Sequence, residues 1–467
     1  MIRTGETICA PATSGGGAIA VIRISGQDSI SITERIFIPN NKELSVSLLP
    51  GYTVVYGDIA DGSEIIDDVL LILFRSPHSY TGEDSVEISC HASPYIQRRI
   101  LELLLKNGAK TAFPGEFTQR AFINGKMDLS QAEAVADVIA SSSEASHRIA
   151  LNQMRGGFSN EIKKLRSDLL HFASLIELEL DFGEEDVEFA DRKELKDLIM
   201  KVKSISDNLA SSFKVGNAIK NGIPVAIVGK PNSGKSTLLN ALLLEEKAIV
   251  SEIPGTTRDV IEDTIFIDGI EYRFIDTAGL RDTSDIIENL GIKKTHEKID
   301  QASVIMLIEE STDSIGDIKT RINNIRQIID GNDKKLMIII NKSDLSGADH
   351  MDDLRNDIEL KYGEELLFIS AKNRTGLEII HKKLSEIVDK GKLSSDSVII
   401  NNIRHYDALM NISGSLQRVI EGLDNSISED LIPIDIRQAI HYLGEITGEI
   451  TSDEVLGNIF MNFCIGK

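Results

Sequence analysis

The chain has 467 residues, 42% hydrophobic and 26% charged, the balance of a globular protein that is too long for one core. Its formal net charge of −23, from 73 acids against 50 bases, argues against a chain-wide basic surface for nucleic acid, and the lack of Trp argues against an extensive base-stacking platform. No apolar run approaches the roughly 20 residues of a membrane span, no basic, apolar signal peptide opens the chain, and Cys9, Cys90 and Cys464 form no CxxC pair, so a cytoplasmic protein with reduced thiols is expected.

Residues 1–120 alternate strand-like runs, Ala18 to Ile24, Asp68 to Phe74 and Val86 to Ser89, with turn residues. One helix, Tyr95 to Lys106, lies among them and is stopped by Gly108, which predicts a compact α+β domain. From 128 onward the pattern becomes helical. Ser130-Gln-Ala-Glu133 has capping-box spacing, and Ile162, Leu165, Leu169, Phe172 and Ile176 step by three and four as a bundle seam. The acidic run Asp181-Phe-Gly-Glu-Glu-Asp reads as a solvated loop rather than a metal site, and Asp191-Arg-Lys-Glu194 as the start of another helix. Ile223 to Val228 then reads as a strand, while Asn401–Leu423, Ile434–Thr447 and Ser452–Phe463 again look helical. The expected arrangement is multidomain α/β: an α+β domain over 1–120, a discontinuous α-helical domain in two parts, 121–221 and 389–467, and a Ras-like P-loop domain over 222–388 inserted between them.

Gly229-Lys-Pro-Asn-Ser-Gly-Lys-Ser236 fits GxxxxGK[ST] between a hydrophobic strand and the apolar helical run that opens at Thr237. The loop, with Asn232, Ser233 and Gly234 at its centre, can wrap phosphates with backbone N–H groups at a helix N-terminus. Lys235 would reach the β- and γ-phosphates, and Ser236 would ligate Mg²⁺. Asp276-Thr-Ala-Gly279 follows a second strand; Asp276 can hold Mg²⁺ through water, and the Gly279 N–H can sense a γ-phosphate, with Thr277 and Ala278 between them.

Asn341-Lys342-Ser-Asp344 ends the buried strand Leu336 to Ile340, and Asp344 can accept guanine N1–H and N2–H₂, a donor pair that adenine lacks. Ser370-Ala371-Lys372 would support the base. Between the P-loop and Asp276, Ile253-Pro254-Gly255-Thr256-Thr257-Arg-Asp259, preceded by Ser251 and Glu252, is the expected first switch, with Thr257 as the second Mg²⁺ ligand. Small GTPases place a water-orienting glutamine after the glycine of the second switch motif, but this chain has Leu280 there. Another polar group must serve if hydrolysis occurs; Arg281, Asp282, Asp285 and Glu288 are candidates.

The whole chain resembles the MnmE (TrmE) family of tRNA-modifying GTPases. Its marks are Gly26 after Arg23-Ile-Ser, Thr81-Gly-Glu-Asp84, Pro114-Gly-Glu-Phe117, Arg120-Ala-Phe, Asp128-Leu-Ser-Gln-Ala-Glu133, Gly255-Thr-Thr-Arg-Asp259 and the closing Cys464-Ile-Gly-Lys467. The GTPase motifs alone would also fit relatives that assist ribosome assembly. The resemblance implies a homodimer formed through N-terminal domains that bind a reduced folate (5-formyl- or methylene-tetrahydrofolate). It also implies an FAD- and NADH-using partner, MnmG (GidA), in a heterotetramer, and a complex that installs an aminomethyl-type group on C5 of the wobble uridine of certain tRNAs.

Arg23, Glu87, Lys126 and Lys467 match the family's folate-contacting positions, although His91-Ala-Ser93 departs from its usual His-Gly-Gly. The family is potassium-activated; Asn232, Ser251, Ile253 and Thr256 match its K⁺ positions and Glu288 its water-orienting acid, so that Glu288 and Lys235 are the expected catalytic residues. Cys464 beside Lys467 is either a nucleophile with a depressed pKa or an inert packing group.

Overall fold

The computed structural model describes residues 5–13, 16–181, 192–247, 263–275, 296, 299–329, 334–361, 363–387, 398–425, 432–461, 463 and 466. The chain forms two compact units. One comprises Met1–Ile139, Leu151–Asp207 and Asp407–Lys467, the other Ala140–Ala150 and Asn208–Tyr406. Among the described residues no helix is long and apolar enough to cross a membrane.

The first unit opens with a seven-stranded sheet of β1 (Ile8–Pro11), β2 (Ile19–Ser25), β3 (Phe37–Pro39), β4 (Thr53–Asp61), β5 (Glu64–Phe74), β6 (Ser85–His91) and β7 (Lys110–Thr111), in the order β3-β4-β5-β6-β2-β1-β7. All pairs are antiparallel except β1 with β7. The period-two alternation decides what each face carries. Ala20, Ile22 and Ile24 of β2 and Val86, Ile88 and Cys90 of β6 point into one core, which leaves Arg23 and Glu87 directly opposite each other on the other face. Helices α1 (Ser29–Glu34) and α2 (Pro94–Lys106) accompany the sheet, and α2 buries Ile100, Leu103 and Leu104 in that core. Cys9 and Cys90 are buried free thiols, and burial pushes them up to about 12 and about 11, so neither is an accessible thiolate.

Helices α3 (Glu116–Ile123), α4 (Leu129–Ala140), α5 (Glu144–Met154), α6 (Gly157–Asp181) and α7 (Arg192–Asn221) follow. The predicted capping box is displaced by two residues. Asp128 Oδ1 accepts the Gln131 N–H and Gln131 Oε1 accepts the Asp128 N–H, both at 3.0 Å, whereas Ser130 and Glu133 lie inside α4 and are buried. Ser130 instead meets the Ser159 hydroxyl at 2.9 Å. The seam on α6 forms through Ile162, Leu165, Leu169 and Ile176, but Phe172 is only half-buried because Ala173 takes the position nearest the core. Helix α7 starts at Arg192, as its sequence predicts; the acidic run beyond Asp181 lies outside the described residues.

The second unit is built on a sheet of β8 (Ile223–Val228), β9 (Asp263–Ile267), β10 (Ile270–Phe274), β11 (Val304–Glu310), β12 (Lys335–Asn341) and β13 (Glu365–Phe368), in the order β13-β12-β11-β8-β10-β9. Every pair is parallel except the β9–β10 hairpin. Helices α8 (Lys235–Lys247), α9 (Ile315–Ile329), α10 (Ala348–Asp357) and α11 (Leu377–Ile387) go with it. Both sheet faces are covered, which is why β8, β11 and β12 read as near-continuous apolar runs. Val225 and Ile227 enter one core with α8 and α11, while Ala226 and Val228 enter the other with α9 and α10.

The chain enters and leaves this unit side by side. Phe213 of α7 stacks on Tyr406 at 4.8 Å, and the Ile400 N–H donates to Ser212 Oγ at 3.1 Å. After it come α12 (Ile403–Asp424), α13 (Ile432–Thr447) and α14 (Asp453–Met461). The face of α13 bearing Ile436, Ala439, Leu443 and Ile446 is buried, and α13 packs on α6 as the apolar periodicity of both helices requires.

Candidate nucleotide-binding site

In a parallel α/β sheet, ligands bind beyond the carboxyl ends of the strands. Here β8 runs into Gly229 and the loop that opens α8, and β12 ends at Asn341. Two glycines make the loop geometry possible. Gly229 has φ +150°, and a Cβ there would lie 2.3 Å from the Ile308 carbonyl oxygen; Gly234 has φ +94°, and a Cβ would lie 2.2 Å from Asn341 Nδ2. Asn232 also takes a left-handed φ of 62° and is exposed, with Ser233 buried behind it. Lys235 Nζ donates to the carbonyls of Gly229 at 2.9 Å and Lys230 at 2.6 Å, so its ammonium spans the mouth of the loop. Half-buried Ser236 and exposed Thr237 occupy the first turn of α8.

Asn341 is the hub of the base side. Its Nδ2 donates to the Ser233 carbonyl at 2.8 Å, and its Oδ1 accepts the Ala371 N–H at 3.0 Å. One buried amide therefore ties the P-loop to the Ser370-Ala371-Lys372 turn. The turn is closed on itself by Ser370 and Thr375, which exchange backbone hydrogen bonds at 3.0 and 3.1 Å. Lys342 follows Asn341 in a left-handed conformation, φ 60°. Asp344 is exposed, and the Ser370 hydroxyl, helped by the Lys372 ammonium, holds its carboxyl below the ordinary carboxylate value. An ionised acceptor pair therefore faces solvent beside the loop.

The loop has the features that a magnesium-nucleotide requires. The Cβ-sized spaces at Gly229 and Gly234 are already taken by backbone and amide, so only glycine allows the loop to curl here. The Ser233 hydroxyl is buried with no partner among the described residues, and the Lys235 ammonium, at the N-terminus of α8, rests on the loop's own carbonyls. These features suit a polyphosphate, and half-buried Ser236 in the first turn of α8 carries a hydroxyl, the hard oxygen type that Mg²⁺ prefers. Ser251, Glu252, Ile253, Pro254, Gly255, Thr256, Thr257, Asp276, Thr277, Ala278, Gly279, Leu280 and Glu288 lie outside the described residues.

A second group of predicted residues gathers on the first unit. Arg23 Nε donates to Glu87 Oε1 at 2.8 Å, and the guanidinium lies over the rings of Tyr80 at 5.3 Å and Phe117 at 5.6 Å. Its Nη1 meets the Gly466 carbonyl at 3.5 Å. Gly466, at φ +96°, leaves no room for a side chain against the Pro11 carbonyl, so this residue lies directly against the end of β1. Lys126 is placed differently: its Nζ donates to the Pro77 carbonyl at 2.9 Å, and its stem covers Gly82. Lys467 and Cys464 lie outside the described residues. Sequence reasoning missed the aromatic pair Tyr80 and Phe117, although Phe117 ends a motif it had singled out.

A P-loop, a base-side Asn-Lys-Ser-Asp turn and a parallel sheet with one antiparallel edge define a P-loop GTPase of the α/β class. Comparison with known proteins narrows this. The profile of the GTP-binding protein TrmE N-terminus matches residues 7–126, and that of the MnmE helical domain matches residues 129–464. The tRNA modification GTPase MnmE of Bacteroides fragilis strain YCH46 is 53% identical over 464 residues, covering 99% of each chain. That of Christiangramia forsetii is 52% identical over 476 residues with all of both chains covered, and that of Flavobacterium psychrophilum is 53% identical over 464 residues, covering 99% of each. The chain belongs to the MnmE (TrmE) family of tRNA modification GTPases, and it is a GTP hydrolase.

Proposed function

We propose that the chain hydrolyses GTP to GDP in a potassium-activated cycle that drives tRNA modification. In this reading it works with the FAD-dependent flavoprotein MnmG (GidA) as a heterotetramer. Together they install the aminomethyl or carboxymethylaminomethyl group at C5 of the wobble uridine of certain tRNAs, with the one-carbon unit drawn from a reduced folate. The relatives' own name is what supports the tRNA half of the reading. For the nucleotide half, the supporting observation is the buried Asn341 amide that joins the P-loop to the base-side turn.

Each residue then has a role. Backbone N–H groups from Asn232 to Thr237 bind the phosphates, Lys235 turns from the loop carbonyls to the β- and γ-phosphates, and Ser236 and Thr257 ligate Mg²⁺. Asp344 selects guanine, supported by Ser370, Ala371 and Lys372. Asn232, exposed at a left-handed bend, joins Ser251, Ile253 and Thr256 in holding K⁺. When bound, the two cations supply positive charge where the transferred phosphoryl group accumulates negative charge. Glu288 orients the attacking water, whose oxygen bonds to the γ-phosphorus as the bond to the β–γ bridging oxygen breaks and GDP leaves.

Coupling to the rest of the chain has a physical route. The β9–β10 hairpin lies in sequence between the two expected switches. Within the second unit it holds the start of α5: the Ala145 N–H donates to the Gly269 carbonyl at 3.2 Å, and the Ser142 hydroxyl bonds Glu271. Helix α5 then continues to Met154. The homodimer reading is supported by the outer face of β3–β5, where Ile38, Val54, Tyr56 and Leu70 are exposed next to one another. Reduced folate would bind around Arg23, Glu87 and Lys467, with Lys126 nearby.

The test is a Glu288→Ala protein assayed for GTP binding and for modified wobble uridine by nucleoside mass spectrometry. Retained binding with loss of the modification is expected. Normal modification without GTP turnover would break the link between hydrolysis and tRNA chemistry.

A further inference from the structure

The two loops joined by Asn341 are tied a second time, by charge, through an acid that no nucleotide motif contains. β11 ends at Glu310, the register partner of Asn341 on β12. The Glu310 carboxylate is largely buried; Oε1 receives Lys342 Nζ at 3.0 Å, and Oε2 faces Lys230 Nζ at 3.6 Å. Lys342 belongs to the base-side turn and Lys230 to the P-loop, so one carboxylate spans both. The surroundings fix its place. Lys230 Nζ also donates to Asp313 at 2.6 Å, Asp313 receives Arg321 Nη2 at 2.6 Å, and Arg321 Nε donates to the fully buried Glu309 at 2.7 Å. The Ser311 hydroxyl holds the Lys342 carbonyl at 2.7 Å.

Placing carboxylates beside a site for a polyanion is electrostatically unfavourable, and partly exposed ion pairs add little stability. The arrangement makes sense for geometry instead. Lys342 sits in a left-handed conformation that a lysine adopts only when its surroundings hold it there. Ser311 grips its backbone and Glu310 its side chain, and Asp344 is two residues further along the same tight turn.

We propose that Glu310 is a positioning residue for guanine recognition: by clamping Lys342 against Lys230 it sets the Asn341–Asp344 turn in register with the P-loop, so that the Asp344 carboxylate meets guanine N1–H and N2–H₂ together. This rests on the reading of Asp344 as the guanine acceptor.

The probes are GDP and inosine diphosphate, which lacks the N2 amine, titrated into the full-length protein. The wild type prefers GDP. Glu310→Gln removes the charge and Glu310→Asp keeps the charge but withdraws it by one methylene; both are expected to lower the GDP-over-IDP preference about five- to tenfold. Lys342→Met reproduces the loss, and combining it with Glu310→Gln adds no more.

Full preference in both Glu310 variants, or an equal weakening of GDP and IDP, overturns the proposal. So does loss in Glu310→Gln with full preference in Glu310→Asp, which would mean that charge alone matters. A wild type that binds IDP as tightly as GDP removes the premise about Asp344, an outcome distinct from the others because it appears before any substitution is made.

Discussion

The Asn341 side-chain amide donates to the Ser233 carbonyl at 2.8 Å, in a position where both residues are sealed from solvent. With its oxygen on the Ala371 N–H, this one side chain fixes three loops that sequence alone presents as separate motifs. Asn341→Ala leaves a carbonyl and an N–H buried without partners, at a cost of about 1–3 kcal/mol for each orphaned group. Calorimetric titration with GDP is expected to give at least about tenfold weaker binding, with a lower thermal midpoint for the unit. Asn341→Asp keeps the acceptor for Ala371 but loses the donor to Ser233, so GDP binding weaker than wild type is expected there too.

Asp344 should stay ionised further into acid than a free carboxylate. Its carboxyl in the folded chain lies below the ordinary 3.8, first through the Ser370 hydroxyl, then through its own backbone N–H and Lys372. A depressed folded value means that the carboxylate persists above it and is lost only as pH falls through it. With the titration of the GDP phosphate common to wild type and variant, the Asp344 contribution to GDP affinity, followed by fluorescence, is therefore expected to persist from neutral pH down to the ordinary carboxylate range. Ser370→Ala removes the main cause, and its affinity should begin to fall at a higher pH. An unchanged profile in that variant would mean that Ser370 does not set the ionisation of Asp344.

The hairpin contact predicts a separation of activities. Glu271→Ala removes the acceptor for Ser142 at the start of α5 without touching the P-loop or the base-side turn. GTP turnover within about twofold of wild type is expected together with a fall in wobble-uridine modification, since the lost contact is one exposed hydrogen bond. Equal retention of both activities would show that the hairpin carries no signal.

Arg23 is the residue on which the folate reading can be tested alone. It is held by Glu87 and capped by Tyr80 and Phe117, so Arg23→Ala removes a charge, an ion pair and a cation–π contact at once. Binding of 5-formyltetrahydrofolate should weaken by at least about tenfold, the worth of a charged hydrogen bond, while GDP binding stays as in wild type.

What the sequence made legible follows the range of the interactions. Strands and helices were readable where burial imposes a period: the alternation Ala20, Ile22, Ile24 on β2, the unbroken apolar run of β12, and the seam on α6. The P-loop and the Asn341–Asp344 turn were readable because their chemistry needs particular residues at fixed local spacing. Competing local signals misled at the start of α4, where Asp128 with Gln131 and Ser130 with Glu133 share one spacing and only packing chooses; Ser130 is drawn inside to meet Ser159. The ties among loops were not readable. Asn341 reaches Ser233 across 108 positions, and Lys230 reaches Asp313 across 83, distances over which no periodicity carries information. Tyr80 and Phe117 close over Arg23 for the same reason.

We propose that this GTPase replaces the glutamine missing at Leu280 with a cation held near Asn232 and with the acid Glu288. GTP turnover by the full-length protein, measured in potassium and in sodium at equal ionic strength, tests it most directly. Turnover at least about tenfold faster in potassium is expected, the gain when one well-placed charge stabilises the transition state, with loss of that difference in Asn232→Ala and GDP still bound. Equal rates in the two salts would contradict it.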